Sequence, residues 1–419
     1  MSTGTTKSQI LSRPQPVGIL PIPAGLLVLP GAADAALVQQ CIAGQTDTKL
    51  PDVWSFYQHA RDGDWPLALE HICTIDSPIA SYNRFVLNPL PVTWMALRRS
   101  LTGELRQLLE IAAYSFGMTD DVPSADGLDG ELLALALMTQ AAAELAREST
   151  HTAIPLLEQA IAASREPSPL FAVQLLAQLA TVCRAQPRPF YGVIAGYYRD
   201  AIALIGEARM PELASDLWMQ LAMVCQEGAM GRHAWMTEAI GAYQEALRSG
   251  LTPDDHPELF ALAHNNLGLL YLSNGMGEGG DQLRMAIAVQ SFREGLRCCD
   301  QEAHPELRAS IQLNLANALQ YMPSSHPQEN LEQAVELYET LVTDRKKAFD
   351  PVGYGRVLSN QANALAHLGI FGPALEKLQE ARKLFEWHNE SDLAASTMEL
   401  VNQIHARKSV PGGSEDGPA

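Results

Sequence analysis

The sequence predicts an all-α protein, a solenoid of helical hairpins stacked one on the next. Three observations predict it. Between about Leu50 and Arg407, Ala, Leu, Glu and Gln dominate, apolar residues recur at three and four positions, and alternating β patterns are nearly absent. The tetrapeptide "HPEL" stands at His256–Leu259 and again at His304–Leu307, with "MPEL" at Met210–Leu213. Around these words the text repeats. Pro169, Pro211, Pro257, Pro305 and Pro351 each stand eleven residues before a small residue, namely Ala180, Ala222, Gly268, Ala316 and Ala362. The intervals are 42, 46, 48 and 46 residues, and a sustained period of this kind marks a repeat array.

Residues 1–47 form an N-terminal arm, expected to be partly disordered. Its segment Pro16–Ala35 follows Lys7 and Arg13 as a secretory signal would, but Pro16, Pro21, Pro23 and Pro30 interrupt the apolar core that a signal keeps continuous. The expectation is an extended arm lying on the body of the protein. Residues 48–125 form a helical cap, in which Val53–Ile72 gives helix, Gly-Asp turn and helix, and "NPLPVTW" (Asn88–Trp94) breaks the pattern. Residues 126–405 form the array, about six units, the first of them lacking the proline and covering Glu131–Ala163. Residues 406–419 are small, polar and rich in Pro and Gly, so a disordered tail is expected.

Each unit has two helical signatures. In the first, "QLATVC" (Gln178–Cys183), "QLAMVC" (Gln220–Cys225), "NLGLLY" (Asn266–Tyr271), "NLANAL" (Asn314–Leu319) and "NQANAL" (Asn360–Leu365) fill one slot. In the second, a small residue, an aromatic or Leu, and another small or apolar residue share one face: Ala239–Tyr243–Ala246, Ala288–Phe292–Gly295, Ala334–Tyr338–Leu341 and Ala374–Leu378–Ala381. Small residues let helix backbones approach closely while the aromatic fills the space between repeats. A proline opening each unit suits the first turn of a helix, where its missing N–H costs nothing. The Glu after it favours the same dipole end, and the Leu is expected to begin the apolar stripe.

On these residues the chain resembles the tetratricopeptide repeat family. Leu358–Leu384 looks like one repeat without insertion, with Leu368–Gly369 at the inter-helix turn and Ala362, Ala374 and Ala381 at the small positions. The other units are similar but stretched between their helices by Gly, Pro and polar residues, "NGMGEGGDQ" and "YMPSSHPQEN" among them, as in long-period repeats of the kinesin-light-chain type. The resemblance covers about residues 130–405. It implies a right-handed superhelix whose first helices line a concave groove and hold a peptide by asparagines.

Acidic residues number 48 against 29 basic, a net charge of −19, with no basic block. Nucleic acid and anionic membrane surfaces want clustered Lys and Arg, so neither is expected as a partner. No stretch reaches the ~18 apolar residues of a membrane span, and the expected location is the cytoplasm. Six cysteines include no C-x-x-C pair, so ordinary reduced thiols are expected. Nucleotide-loop, zinc-protease and nucleophile-elbow motifs are absent, and "GMGEGG" (Gly275–Gly280) follows a helix and has no Lys. Neither catalysis, a cofactor nor a metal site is expected. His256 and His304 occupy equivalent places in neighbouring units, yet the residue before a proline is simply a natural helix start.

The candidate site is therefore polar and repeated. Asn266, Asn314 and Asn360 share the first slot, Gln178 and Gln220 fill it in earlier units, and Asn317 and Asn363 lie one turn on. A carboxamide donates and accepts, so it can grip an extended backbone whatever the side chains; it can equally tie neighbouring helices together. Five net hydrogen bonds at ~0.5–1.5 kcal/mol each fall short of a micromolar complex, about 8 kcal/mol. Arg356 and Tyr321 are candidate additional anchors, although the paired-Lys carboxylate clamp of chaperone-peptide receptors is missing. The leading expectation is a protein- or peptide-binding scaffold or adaptor, with self-association open. An assembly helper for a bacterial multi-subunit enzyme, after a similarity to proteins associated with uptake hydrogenases, is the second. A small-ligand sensor or enzyme around Trp54, Trp65 and Trp94 is the third.

Overall fold

The computed structural model describes residues 26–28, 51–61, 63–206, 210–273, 281–344 and 350–408. Among them are eighteen α-helices and no strand. Much of the arm, the "GMGEGG" segment, the basic cluster Arg345–Lys347, Cys41 and residues 409–419 lie outside the described residues. The chain divides into two compact units, Met1–Met230 with Gln244–Gly250, and Gly231–Tyr243 with Leu251–Ala419.

In the first unit, α1 (Ser55–Arg61), α2 (Trp65–Cys73), α3 (Pro78–Leu87), α4 (Pro91–Ser100) and α5 (Gly103–Ser115) precede the hairpins. The hairpins are α6 (Gly130–Ala146) with α7 (Thr150–Ser164), and α8 (Pro169–Arg184) with α9 (Tyr191–Ile205). Helix α10 (Pro211–Ala229) packs on α9, and α11 (His233–Ser249) is divided between the units. In the second unit the hairpins are α12 (Pro257–Ser273) with α13 (Asp281–Cys298), α14 (Pro305–Tyr321) with α15 (Pro327–Asp344), and α16 (Pro351–His367) with α17 (Phe371–Trp387). A last helix, α18 (Ser391–Lys408), packs on α17. Successive first helices also touch, α12 with α14, α14 with α16, and α16 with α18. That is the stacking of a solenoid, in which no hairpin buries its own face alone.

The period seen in the sequence is physical. Pro169, Pro211, Pro257, Pro305 and Pro351 are each the first residue of a helix. The second-helix triplets are fully or almost fully buried, from Ala239, Tyr243 and Ala246 to Ala374, Leu378 and Ala381. Glycines make room for the aromatics: a Cβ on Gly268 would lie 2.4 Å from Phe292 Cε1, and one on Gly355 would lie 2.8 Å from Phe385 Cε1. Gly369, at φ +81°, turns the chain between α16 and α17, while the Gly369 and Ile370 amides donate to the Ala366 and Leu365 carbonyls.

Three details differ from expectation. Leu213 is buried as the start of an apolar stripe, but its counterpart Leu259 is 40% exposed and Leu307 half-buried, because the stripe begins further into those helices. Much of "YMPSSHPQEN" is helical, since α15 begins at Pro327. Helix α18 continues to Lys408, where His405, Arg407 and Lys408 occupy its last turn, a favourable place for cations.

Candidate functional site

In the second unit the asparagines form rungs between neighbouring first helices. Asn314 Nδ2 donates to Asn265 Oδ1 at 2.9 Å, linking α14 to α12. Asn360 Nδ2 donates to Asn317 Oδ1 at 3.0 Å, and Asn363 Nδ2 donates to the Tyr321 hydroxyl at 3.0 Å, both linking α16 to α14. The aromatics of the second helices join in. Asn266 Nδ2 donates to the Tyr243 hydroxyl at 2.9 Å, and the Tyr338 hydroxyl donates to Asn317 Oδ1 at 2.7 Å. Burial holds the Tyr338 phenol well above its ordinary pKa of 10, so it stays a donor.

The Gln320 carboxamide oxygen also stands 3.2 Å from that hydroxyl, while its buried nitrogen has no partner. One phenol hydrogen cannot serve two acceptors. Rotating the carboxamide by half a turn resolves both facts, placing Gln320 Nε2 as donor to the phenol oxygen.

Below the rungs, buried Gln361 donates from Nε2 to Glu339 Oε2 at 2.6 Å, and Lys377 Nζ stands 3.3 Å from the same oxygen. The Gln361 bond, with Lys377 beside it, lowers the Glu339 carboxyl below its usual range.

After these bonds are made, four half-exposed side chains keep one hydrogen-bonding group with no protein partner among the described residues. These are Asn314 Oδ1, the Asn317 carboxamide nitrogen, Asn360 Oδ1 and Asn363 Oδ1. Tyr321 is 60% exposed, and Arg356 is exposed one turn before Asn360 with no ion pair among the described residues.

Gln178 and Gln220 belong to the first unit. Gln220 accepts from Arg184 at 3.3 Å, and Arg184 is engaged by Glu227, with Nε at 3.0 Å from Oε2. Hydrogen bonding to Glu227 raises the Arg184 pKa above its ordinary value. Gln178 is half-buried on α8. Sequence reading passed over Asn265, Tyr243 and Tyr338. Asn265 is hidden by its neighbour Asn266 in the "NN" pair, and both tyrosines read as core aromatics.

The remaining candidates are ordinary. His304 Nδ1 stands 3.6 Å from Glu258 Oε2, so the two "HPEL" copies meet through the His of one and the Glu of the other. Among the described residues no group of three His, Cys, Asp or Glu could hold a metal, and no helix is long and apolar enough to cross a membrane. Cys225 and Cys299 are buried and form no disulfide, whereas Cys73 is exposed. Trp54 is buried, Trp65 half-buried, and Trp94 lies under the Arg98 guanidinium at 5.4 Å. A cleft of about 640 Å³ in the first unit is lined by Gln140, Glu144, Arg147, His151 and Thr152, among others. There a hydrogen bond from Thr152, with help from Arg147, lowers the Glu144 carboxyl.

No family model and no curated protein matches the sequence. Solved structures resembling it are helical and distant. BtubC (BKLC) from P. vanneervenii is 18% identical with a TM-score of 0.41, the match covering 61% of this chain and 92% of that one. A human IFIT1 dimer with PPP-AAAA is 11% identical with a TM-score of 0.37, covering 89% and 86%. A Rap protein complexed with competence and sporulation factor is 12% identical with a TM-score of 0.35, covering 84% and 94%.

Proposed function

We propose that this chain is a non-enzymatic scaffold that binds a protein or peptide, and that the asparagine rungs of its second unit read the backbone of an extended segment. The observation that carries this reading is the set of atoms left over after the rungs form. Three carboxamide oxygens and one carboxamide nitrogen face the requirement of an extended chain, which offers alternating N–H and C=O groups. Tyr321 supplies exposed apolar area beside them, and Arg356 supplies an unpaired cation for a carboxylate. The repeats are of the long-period tetratricopeptide type in this reading. Work in the cytoplasm, without nucleic acid or membrane as partner, suits the −19 net charge. An assembly helper for a multi-subunit enzyme is one form such a scaffold takes.

The test separates reading from rung-making. Asn363→Ala with Arg356→Ala removes two groups that face outward and leaves Asn317 with its partners. Affinity capture from the native cell, followed by mass spectrometry, should lose a specific partner that the wild-type chain retains. An unchanged partner set would remove this face from the proposal.

A further inference from the structure

The scaffold reading rests on the second unit and leaves the cleft of the first unexplained. That cleft holds about 640 Å³, the size of a small-ligand site, and its lining comes from α6, α7 and Val122 of the loop before them. One lining residue breaks a local rule. Pro155 stands inside α7, where the Thr152 and Ala153 amides already donate to the Ser149 carbonyl. The helical partner of residue 155 is the His151 carbonyl, and a proline has no N–H to give it. Residues four apart share one helical face, and both of these line the cleft, so the carbonyl that loses its donor is on the cleft side. A helix-weakening proline is a breach of the kind that concentrates at functional sites.

Two side-chain acceptors lie one turn apart on α6 in the same cleft. Gln140 spends its amide nitrogen on the Pro123 carbonyl at 2.8 Å, and its oxygen has no protein partner among the described residues. Glu144 accepts from Thr152 Oγ1 at 2.7 Å and from Arg147 Nη1 at 2.8 Å. The Thr152 bond, against desolvation and with help from Arg147, keeps the carboxyl below its usual range. Each carboxylate oxygen retains a second lone pair. Arg147 holds Glu144 through an i,i+3 pair with 62% of its own side chain accessible, a contact worth little, so an incoming cation competes on even terms.

This set of atoms selects by charge. An anion would meet the Glu144 carboxylate. A primary ammonium has three N–H donors and no acceptor, matching a site with three acceptors. Half-buried Leu156 and Val122 offer apolar surface for an aliphatic stem, the surface a lysine stem covers. The net charge of −19 draws cations toward the chain.

We propose that the cleft between α6 and α7 binds an alkylammonium group, the lysine side chain of a polypeptide or a free aliphatic diamine, on Glu144, Gln140 and the His151 carbonyl. Arg147 occupies the carboxylate until the ligand displaces it. The site lies in the other unit from the asparagine rungs, so its failure leaves that reading untouched.

The test is a ligand-observed NMR titration of the full chain with three probes of similar stem: Nα-acetyl-lysine amide, pentanediamine and pentanol. Both ammonium probes should bind and the alcohol should not. Tighter binding of the lysine derivative identifies a polypeptide as the source, and tighter binding of the diamine a free amine. Glu144→Gln should weaken ammonium binding about tenfold, and Arg147→Ala should tighten it about threefold. Pro155→Ala gives the His151 carbonyl its donor back, so it should raise the melting temperature while weakening binding about threefold. A purely structural role would not move stability and binding in opposite directions. Failure of both ammonium probes to bind, equal binding of pentanol, or unchanged affinity in a Glu144→Gln chain of wild-type helicity would overturn the proposal.

Discussion

Asn317 and Asn360 face each other across adjacent first helices, the Asn360 carboxamide nitrogen donating to Asn317 Oδ1 at 3.0 Å. The same oxygen accepts from the Tyr338 hydroxyl at 2.7 Å, so one side chain fastens two neighbours. Removing it takes away the acceptor of a buried phenol's hydrogen. Asn317→Ala should therefore cost about 1–3 kcal/mol in urea unfolding, the usual penalty for a buried polar group left without its partner. Asn363→Ala breaks a bond in an exposed setting and should cost less than about 0.5 kcal/mol. Equal effects would show that Asn317 is not a structural rung.

Gly268 leaves space that Phe292 fills, with the Phe292 ring carbon Cε1 2.4 Å from where a Cβ would stand. Gly268→Ala should destabilise the second unit by about 1–3 kcal/mol, a normal cost of overpacking. Phe292→Leu in the same chain should recover part of that loss. A double-mutant cycle with no coupling would disprove the contact as the cause.

His264 stacks on Phe260, with ring centroids 4.5 Å apart, and its buried Nδ1 has no partner. Burial lowers its pKa below the ordinary 6.5; Glu294 pulls the other way, and Arg297 adds to the lowering. A histidine whose folded pKa is depressed binds a proton more readily when unfolded. Its contribution is thus complete above about 6.5 and is lost as the pH falls below that value. The wild-type melting temperature should drop between pH 7.5 and 5.5, and His264→Leu should drop less. Parallel curves for the two would assign the acid sensitivity elsewhere.

Asp350 caps α16, its Oδ1 accepting from the Gly353 N–H at 2.8 Å. Asp350→Ala should cost about 1 kcal/mol, and Asp350→Ser should restore most of it. Thermal unfolding of the three chains checks this; an Asp350→Ala chain as stable as wild type would mean that the cap contributes nothing.

Much of this architecture was legible before any coordinates, because it depends on local rules. Pro351 and its four counterparts can only start a helix comfortably, and each of them does. Ala334, Tyr338 and Leu341 lie on one helical face by spacing alone, and all three are buried. What local rules cannot give is which polar atoms meet. Asn265 and Asn266 are adjacent letters, yet helix rotation sends one into the α12–α14 contact and the other to Tyr243.

The same limit applies at the N-terminus. Proline spacing in Pro16–Ala35 predicts an extended arm on the body; of that stretch Leu26–Val28 is described, and its three residues are buried. The hydrogen-bond partner of Val28, Asn83, is 55 residues away and reads, in sequence, as an unremarked polar residue inside a helix.

The sequence by itself therefore determined the helices, their starts, their period and their buried faces, since each follows from the spacing of apolar, small and proline residues along a single helix. Only the tertiary structure decided how the carboxamides are spent. A side-chain amide has no preferred neighbour along the chain. Whether it ties Asn317 to Asn360, clamps Val28, or keeps an oxygen free for a partner depends on which backbone the stacking brings within 3 Å.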